Sequence, residues 1–292
     1  MKALFVMDPL ENLHVDGDST YVLMLEGCRR GDDVWFCTPE DLYLSNGEAF
    51  AHARAVLVGE DAPYFSVCGI EDTTLGAFDV VWMRKDPPFD MNYVLSTYIL
   101  ERVPKRTLVV NDPVGLKRFN EKIWAMTFVD LHPTTLMARD PKQLAAFVKS
   151  QPGRAVLKPW DGNGGRGVLI TSGTDRNLAS MIELLTDNGR HYVIAQEFLE
   201  GAEKGDKRIL LFNGEPVGAV LRVPSQKDYR GNMHVGASVV ACDLSQRDVE
   251  ICQKLGPALK EHGQVFVGID VIDGYLTEIN ITSPTGIREI NR

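Results

Sequence analysis

The sequence predicts an α/β protein: an N-terminal unit built on a parallel sheet, then a second unit that itself falls into two parts. Three observations carry this. A strand, helix, strand order over residues 2–37 is the signature of a βαβ unit. A chain of 292 residues is long enough for about two packed domains. Beyond residue 120 a glycine-rich loop lies between two strand-like runs, and hairpin signals replace the earlier alternation.

Residues 2–8 read as a buried strand. Asp18-Ser19 offers a helix N-cap, with Val22, Leu25 and Cys28 following at three-residue spacing until Gly31. Val34-Trp35-Phe36-Cys37 begins a second strand, and Phe78 to Met83 reads as another, running into Arg84-Lys85-Asp86-Pro87-Pro88-Phe89-Asp90. A helix over 91–103 and a short strand from Thr107 to Val110 close the first unit near Asn120; residues 38–77 receive no element. In the second half, 121–130 and 176–187 read as helices, and Asp140 caps a helix that Pro141 opens. Leu136–Ala138, Ala155–Lys158, Val168–Thr171 and Tyr192–Phe198 read as strands. Asn213-Gly214 joins strands 208–213 and 216–223 as a hairpin. A polar irregular stretch, 224–236, has the composition of a lid; a helix near 245–262 and strands 265–272 and 275–281 follow.

Composition excludes several classes. With 44% apolar and 24% charged residues the chain is globular rather than disordered. A net charge of −9 argues against nucleic acid as a partner, so an anionic ligand needs local cations. No apolar run approaches the ~20 residues that cross a bilayer, and Asp8 arrives too early for a secretory signal. Cys28, Cys37, Cys68, Cys242 and Cys252 are odd in number with no CxxC pair, which reads as ordinary thiols in a reducing cytoplasm. The six histidines lack ligand spacing, and no Ser/His/Asp or Cys/His nucleophile set stands out.

The segment Lys158-Pro159-Trp160-Asp161-Gly162-Asn163-Gly164-Gly165-Arg166-Gly167 is the most informative. Its GxGxxG spacing does not indicate a dinucleotide fold, because a strand rather than a helix follows. No Gly-Lys-Ser/Thr exists to make a P-loop. A glycine hairpin between strands can lie over phosphates with its N–H groups inward, and Lys158 can reach a phosphate as a point charge.

In the final hairpin, Glu278 and Asn280 share a strand face. Together with Asp270 they are hard oxygen donors suited to Mg²⁺. A plain two-residue Asp273-Gly274 turn would set Asp270 opposite Thr277, so a metal site here requires an odd-length connection or a bulge. Gln196-Glu197-Phe198-Leu199 ends a strand, either as a linker whose backbone reads adenine or as a plain strand end. Asp206-Lys207-Arg208 can place a ribose partner and cations in a cleft or be a charged turn. Arg222, Arg230 and Asn232 flank the lid-like stretch. Arg84 and Asp86 follow a strand end, where open α/β sheets bind ligands. Ser283-Pro284-Thr285-Gly286 forms a turn whose N–H groups can hold a carboxylate, with Arg288 just beyond.

These segments resemble the prokaryotic glutathione synthetases of the ATP-grasp superfamily, in order and over nearly the whole chain. The likeness runs through Val6-Met7-Asp8-Pro9, Asp41-Leu42-Tyr43-Leu44, Met83 to Asp90, Thr97-Tyr98-Ile99-Leu100-Glu101-Arg102 and Asn120-Glu121-Lys122. It continues through Leu157-Lys158-Pro159, Gly205-Asp206-Lys207-Arg208, Arg230-Gly231-Asn232, Leu276-Thr277-Glu278-Ile279-Asn280 and Ile287-Arg288-Glu289-Ile290. Family members usually continue into a closing helix beyond the point where this sequence reads Asn291-Arg292.

The resemblance implies a Rossmann-like pre-ATP-grasp domain over 1–120, then a two-part ATP-grasp domain. Its lid subdomain, 121–200, carries the glycine loop, and 201–292 carries the metal site. It further implies a cytoplasmic ligase, a homo-oligomer of the tetrameric kind common in the family, that joins γ-glutamylcysteine and glycine with ATP and Mg²⁺ (or Mn²⁺) through an acyl phosphate. By the same resemblance Lys122 and Lys158 hold phosphates under the loop Gly162, Asn163, Gly164, Gly165 and Gly167. Gln196, Glu197, Phe198 and Leu199 frame adenine and Asp206 the ribose. Arg208 and Arg222 stabilise developing charge, and Asp270, Glu278 and Asn280 hold the metal. Arg84, Asp86, Arg230, Asn232, Ser283 and Arg288 are assigned to the substrates.

Overall fold

The computed structural model describes residues 1–162, 164–224 and 238–292. Strand β1 (Lys2–Val6), helix α1 (Ser19–Arg29) and strand β2 (Asp33–Cys37) form the expected βαβ unit, with β1 and β2 parallel. The Asp18 carboxylate caps α1 by accepting from the N–H groups of Thr20 (2.6 Å) and Tyr21 (3.0 Å). Strands β3 (Leu42–Ser45), β4 (Glu48–Val58) and β5 (Phe65–Thr74) then form an antiparallel arm where the sequence suggested no element. Its buried positions are mostly small, including Ala49, Ala51 and Ala53, so the period-2 pattern lacks large apolar residues. Strand β6 (Val80–Met83), helix α2 (Met91–Leu100) and strand β7 (Leu108–Val110) complete a mixed seven-stranded sheet. Within it β2, β1, β6 and β7 are parallel neighbours.

Two short helices follow: α3 (Pro113–Arg118) and α4 (Glu121–Met126), the latter ending earlier than the sequence suggested. A second sheet, antiparallel, contains β8 (Thr135–Ala138), β9 (Arg154–Pro159), β10 (Leu169–Ser172) and β11 (Val193–Glu197), ordered β10-β9-β11-β8. Helices α5 (Pro141–Ser150) and α6 (Leu178–Thr186) cover it, and Leu144, Val148, Leu157, Ile182 and Val193 form its own core.

The third sheet runs β14 (Ser238–Ala241), β13 (Glu215–Val223), β12 (Asp206–Phe212), β15 (Phe266–Ile272) and β16 (Tyr275–Asn280) in space. Helix α7 (Gln246–Glu261) precedes β15, and one turn of helix, α8 (Ile287–Ile290), follows β16. The Asn213-Gly214 turn takes φ of +48° and +76°, the positive pair that a tight hairpin demands. Alternation divides the sheet: Ile209, Leu211, Val267, Ile269 and Ile279 join a core that also contains Leu4, Val6 and Met83 of the first sheet. Asn111 stitches the two sheets by donating to the carbonyls of Phe266 (2.8 Å) and Ile281 (2.6 Å) while accepting from the Phe266 N–H (2.8 Å). Among the described residues, no helix is long and apolar enough to cross a membrane.

Candidate active site

The polar face of the third sheet gathers six of the expected residues: Asp206, Arg208, Arg222, Asp270, Glu278 and Asn280. Register places Arg208 opposite Asp270, Asp270 opposite Glu278, and Asp206 opposite Arg222. The Asp270–Glu278 pairing exists because a bulge between Asp270 and Val271 shifts the ladder by one residue, even though the turn is only Asp273-Gly274. Thr277 is the extra residue, and its hydroxyl donates to the Asp270 carbonyl at 3.0 Å.

Arg208 grips Asp270 with two bonds, Nε to Oδ1 at 2.6 Å and Nη2 to Oδ2 at 3.2 Å. Arg222 Nη2 lies 3.0 Å from the same Oδ1 and holds Asp206 through Nε (2.5 Å) and Nη2 (2.8 Å). Gly268 makes room: a Cβ there would stand 3.2 Å from Arg208 Nη1. Asn280 Nδ2 donates to Asp270 Oδ2 at 3.3 Å. Burial opposes ionisation of Asp270, but Arg208 and Arg222 outweigh it and hold the carboxyl well below the usual range. For Asp206 burial wins, and its carboxyl is pushed up to about 6 despite Arg222.

Two carboxylates and one amide on one face form a hard-oxygen donor set that fits a small divalent cation, and the bulge is what aligns them. Each carboxylate is already cation-paired, Asp270 with two arginines and Glu278 with Lys122. No group of three or more His, Cys, Asp or Glu suited to a metal occurs among the described residues.

Lys122 and Lys158 converge from other elements. Helix α4 packs on β16, and Asn120 caps it by accepting from the Lys122 N–H (3.0 Å). Lys122, 5% exposed, contacts Glu121, lies 3.4 Å from Glu278 Oε1, and donates to the Gly162 carbonyl at 2.7 Å. Burial lowers its affinity for a proton, but Glu278 and Glu121 overturn this and raise the ammonium pKa. Lys158 on β9 is 9% exposed and donates to Gln196 Oε1 at 3.2 Å; burial drags its ammonium pKa down. Gly164, Gly165 and Gly167 adopt φ of +63°, +73° and +73° in the β9–β10 connection, conformations that glycine reaches without strain. A cleft of about 300 Å³ lined by Pro88, Pro159, Asp161, Gly162, Arg166 and Gly167 opens beside the loop.

The remaining candidates have partners of their own. Asp206, expected at a ribose, has both oxygens on Arg222, so it orients that guanidinium. Glu197 Oε1 accepts from the Thr134 N–H (2.9 Å), and Phe198 lies under the Arg154 guanidinium at 4.0 Å. The Leu199 carbonyl opens the turn Glu200–Lys204. Arg84 stands at the carboxyl end of β6, beside the parallel strand β1, the end of an open α/β sheet at which ligands bind. It is 3% exposed and bonds Thr20 Oγ1 (3.1 Å) and the Pro284 carbonyl (3.0 Å). Its Nη1 is buried without a hydrogen-bond partner among the described residues. Ser283 Oγ donates to the Arg84 carbonyl (3.4 Å), and the Asp86 N–H donates to Asp8 Oδ2 (3.0 Å).

Arg288 reaches the Val15 carbonyl, Asp16 and the Tyr21 ring, all in the N-terminal unit. The N–H of Gly286, the last residue of the turn expected to hold a carboxylate, donates to Ser19 Oγ at 3.2 Å, and so does the next N–H, that of Ile287, at 3.3 Å. Both follow from α8 packing against α1, a contact no local pattern encodes. Asn163, Arg230, Asn232 and the lid-like stretch beyond 224 lie outside the described residues.

Sequence reasoning also passed over Glu121, whose carboxyl is pushed up by burial and Glu278 against Lys122, and over His132 and Thr135, which sit behind Gln196. Glu121 had a signal in its adjacency to Lys122; the other two had none.

Comparison with known proteins identifies the family. Residues 1–117 match the prokaryotic glutathione synthetase N-terminal domain and residues 121–292 the prokaryotic glutathione synthetase ATP-grasp domain. Glutathione synthetase of Mesorhizobium japonicum is 45% identical, covering 100% of this chain and 93% of that protein. The Thermosynechococcus vestitus glutathione synthetase is 43% identical, covering 100% and 95%. Among solved structures, D-cycloserine synthetase DcsG has a TM-score of 0.66 at 16% identity, covering 97% of this chain and 92% of that one. The ATP-grasp ligase PsnB complexed with minimal precursor has a TM-score of 0.64 at 21% identity, covering 99% and 92%. At such identities the likeness establishes the ATP-grasp fold alone. The two domain matches and the full-length identities establish more: this chain belongs to the prokaryotic glutathione synthetase family.

Proposed function

We propose that the site joins γ-glutamylcysteine and glycine at the expense of ATP, giving glutathione, ADP and phosphate. The supporting observation is the array Arg208–Asp270–Arg222 facing Glu278, with buried Lys122 and Lys158 converging on it from other elements. Cations around an acidic seat suit a polyphosphate, and phosphoryl transfer requires positioning and charge neutralisation rather than a protein nucleophile. The γ-phosphoryl group passes to an oxygen of the cysteinyl carboxylate, leaving ADP and an acyl phosphate. The glycine amine then attacks the acyl carbon, the C–O bond to phosphate breaks, and the amine proton is released.

In this reading 121–200 closes over the nucleotide, 201–292 supplies the cation seat, and 1–120 forms the substrate side, in a cytoplasmic enzyme. Lys122 and Lys158 hold phosphates beneath the loop Gly162–Gly167, and the backbone of Gln196–Leu199 frames adenine. Asp206 aims Arg222, which with Arg208 faces the developing negative charge. Asp270, Glu278 and Asn280 are the residues that would hold Mg²⁺ or Mn²⁺, which when bound neutralises charge on phosphate oxygens. The buried Nη1 of Arg84, which has no hydrogen-bond partner among the described residues, receives a peptide carboxylate, with Asp86 and Ser283 beside it; Arg230 and Asn232 are assigned to the same substrates.

Measuring ADP release with each substrate omitted in turn tests the assignment. Turnover is expected only with γ-glutamylcysteine and glycine together, and indifference to glycine would refute it.

The Asp206 carboxyl, poised at about 6, adds a pH dependence. As pH falls through that value Asp206 is protonated and Arg222 loses its bidentate partner. The acid limb of kcat/KM is therefore expected at about pH 6. Asp206→Asn is expected to abolish that limb; a limb of unchanged position in the variant would assign it to another group.

A further inference from the structure

Behind the phosphate-facing lysine lies a buried polar chain whose every donor can be assigned. His132 Nδ1 is 2.9 Å from the Pro133 carbonyl, which can only accept, and 3.3 Å from Thr135 Oγ1, so Nδ1 carries the proton; in the neutral ring Nε2 is then a bare acceptor. The Thr135 hydroxyl donates to the same carbonyl (2.8 Å) and accepts from Gln196 Nε2 (2.9 Å). Gln196 Nε2 also stands 3.4 Å from His132 Nε2, which as a bare nitrogen accepts its second hydrogen. With both amide hydrogens committed, Gln196 Oε1 faces Lys158 Nζ, which donates to it at 3.2 Å. The reversed amide would set an NH₂ group against the ammonium and leave two buried acceptors unmet. His132, Gln196 and Lys158 are respectively 9%, 5% and 9% exposed, so breaking one of these bonds leaves a buried polar group unpaired.

We infer that His132 is a positioning residue: as a neutral Nδ1–H imidazole it fixes the Gln196 amide, whose carbonyl then aims the Lys158 ammonium at the nucleotide's phosphates. The proposal rests on the nucleotide reading of the site above. It requires the ring to stay neutral, and burial together with the nearby Lys158 charge pushes the imidazole pKa down to about 4.

The test uses the full chain. Nitrogen-15 NMR of the wild-type protein, with His132 identified by its absence in His132→Gln, is expected to show Nδ1 protonated and Nε2 bare throughout pH 5 to 8. A protonated Nε2 in that range overturns the proposal. Calorimetric titration with ATP and excess Mg²⁺ is expected to show affinity weakened about tenfold in His132→Phe, which removes the acceptor but keeps a ring. His132→Gln, whose side-chain oxygen can stand near the Nε2 position, is expected to recover most of that loss. The KM for γ-glutamylcysteine is expected to stay unchanged in both. Unchanged ATP affinity in His132→Phe, or equal impairment of both variants, overturns the positioning role alone. Absence of ATP binding by the wild-type chain overturns the nucleotide reading and the proposal with it.

Discussion

Glu278→Ala is expected to lower kcat by about 10³-fold, the scale seen when one preorganised electrostatic contact to a reacting group is deleted. The side chain stands opposite Asp270 on the polar sheet face, 3.4 Å from Lys122, and outside every hydrophobic core cluster. Its loss removes half of the carboxylate pair and frees Lys122 from one of its two acidic partners. The third-sheet core, on the opposite face, is untouched, so circular dichroism and the urea midpoint are expected to stay near wild type. ADP release at saturating substrates is the measurement; normal turnover would remove Glu278 from the mechanism. Loss of structure would mean that its role is scaffolding.

Asp270→Asn is expected to be the more damaging change for stability. Asp270 is the shared counterion of Arg208 and Arg222, and both guanidinium groups are themselves buried. Removing one partner from a buried ionic network costs about 3–5 kcal/mol, because the remaining charges stay desolvated. Urea denaturation should show this as a lower midpoint with little change in slope, and an unchanged midpoint would refute the network's structural role.

The same substitution should alter acid sensitivity. Asp270 ionises more readily folded than unfolded, so its stabilisation is complete above the ordinary carboxylate pKa of about 4 and disappears as pH falls below it. Asp270→Asn is expected to flatten that acid loss. Asp206 works with the opposite sign, because the folded state holds its proton up to about pH 6, so its contribution declines as pH rises between about 4 and 6.

The glycine loop and both strands around it, the βαβ start and the Asn213-Gly214 hairpin were all legible, because each depends on neighbours within a few residues. The final hairpin was legible in a stricter sense. Strand alternation alone required an odd-length connection or a bulge if Asp270 was to meet Glu278, and a bulge is present between Asp270 and Val271. The antiparallel arm β3–β5 was not legible, because alternating alanines bury little area each and imitate neither strand nor helix strongly.

By itself the amino-acid sequence determined which residue types sit on which strand face, where the backbone turns, and which family the motifs belong to. Tertiary structure alone decided which side chains meet. It tied Asp206 to Arg222, turned Arg288 toward α1, and stacked His132, Gln196 and Lys158 into one chain across more than sixty positions of sequence. The physical reason is range. Dihedral preference and strand alternation act between near neighbours, whereas the direction of a buried hydrogen bond depends on whatever group folding brings within about 3 Å of it.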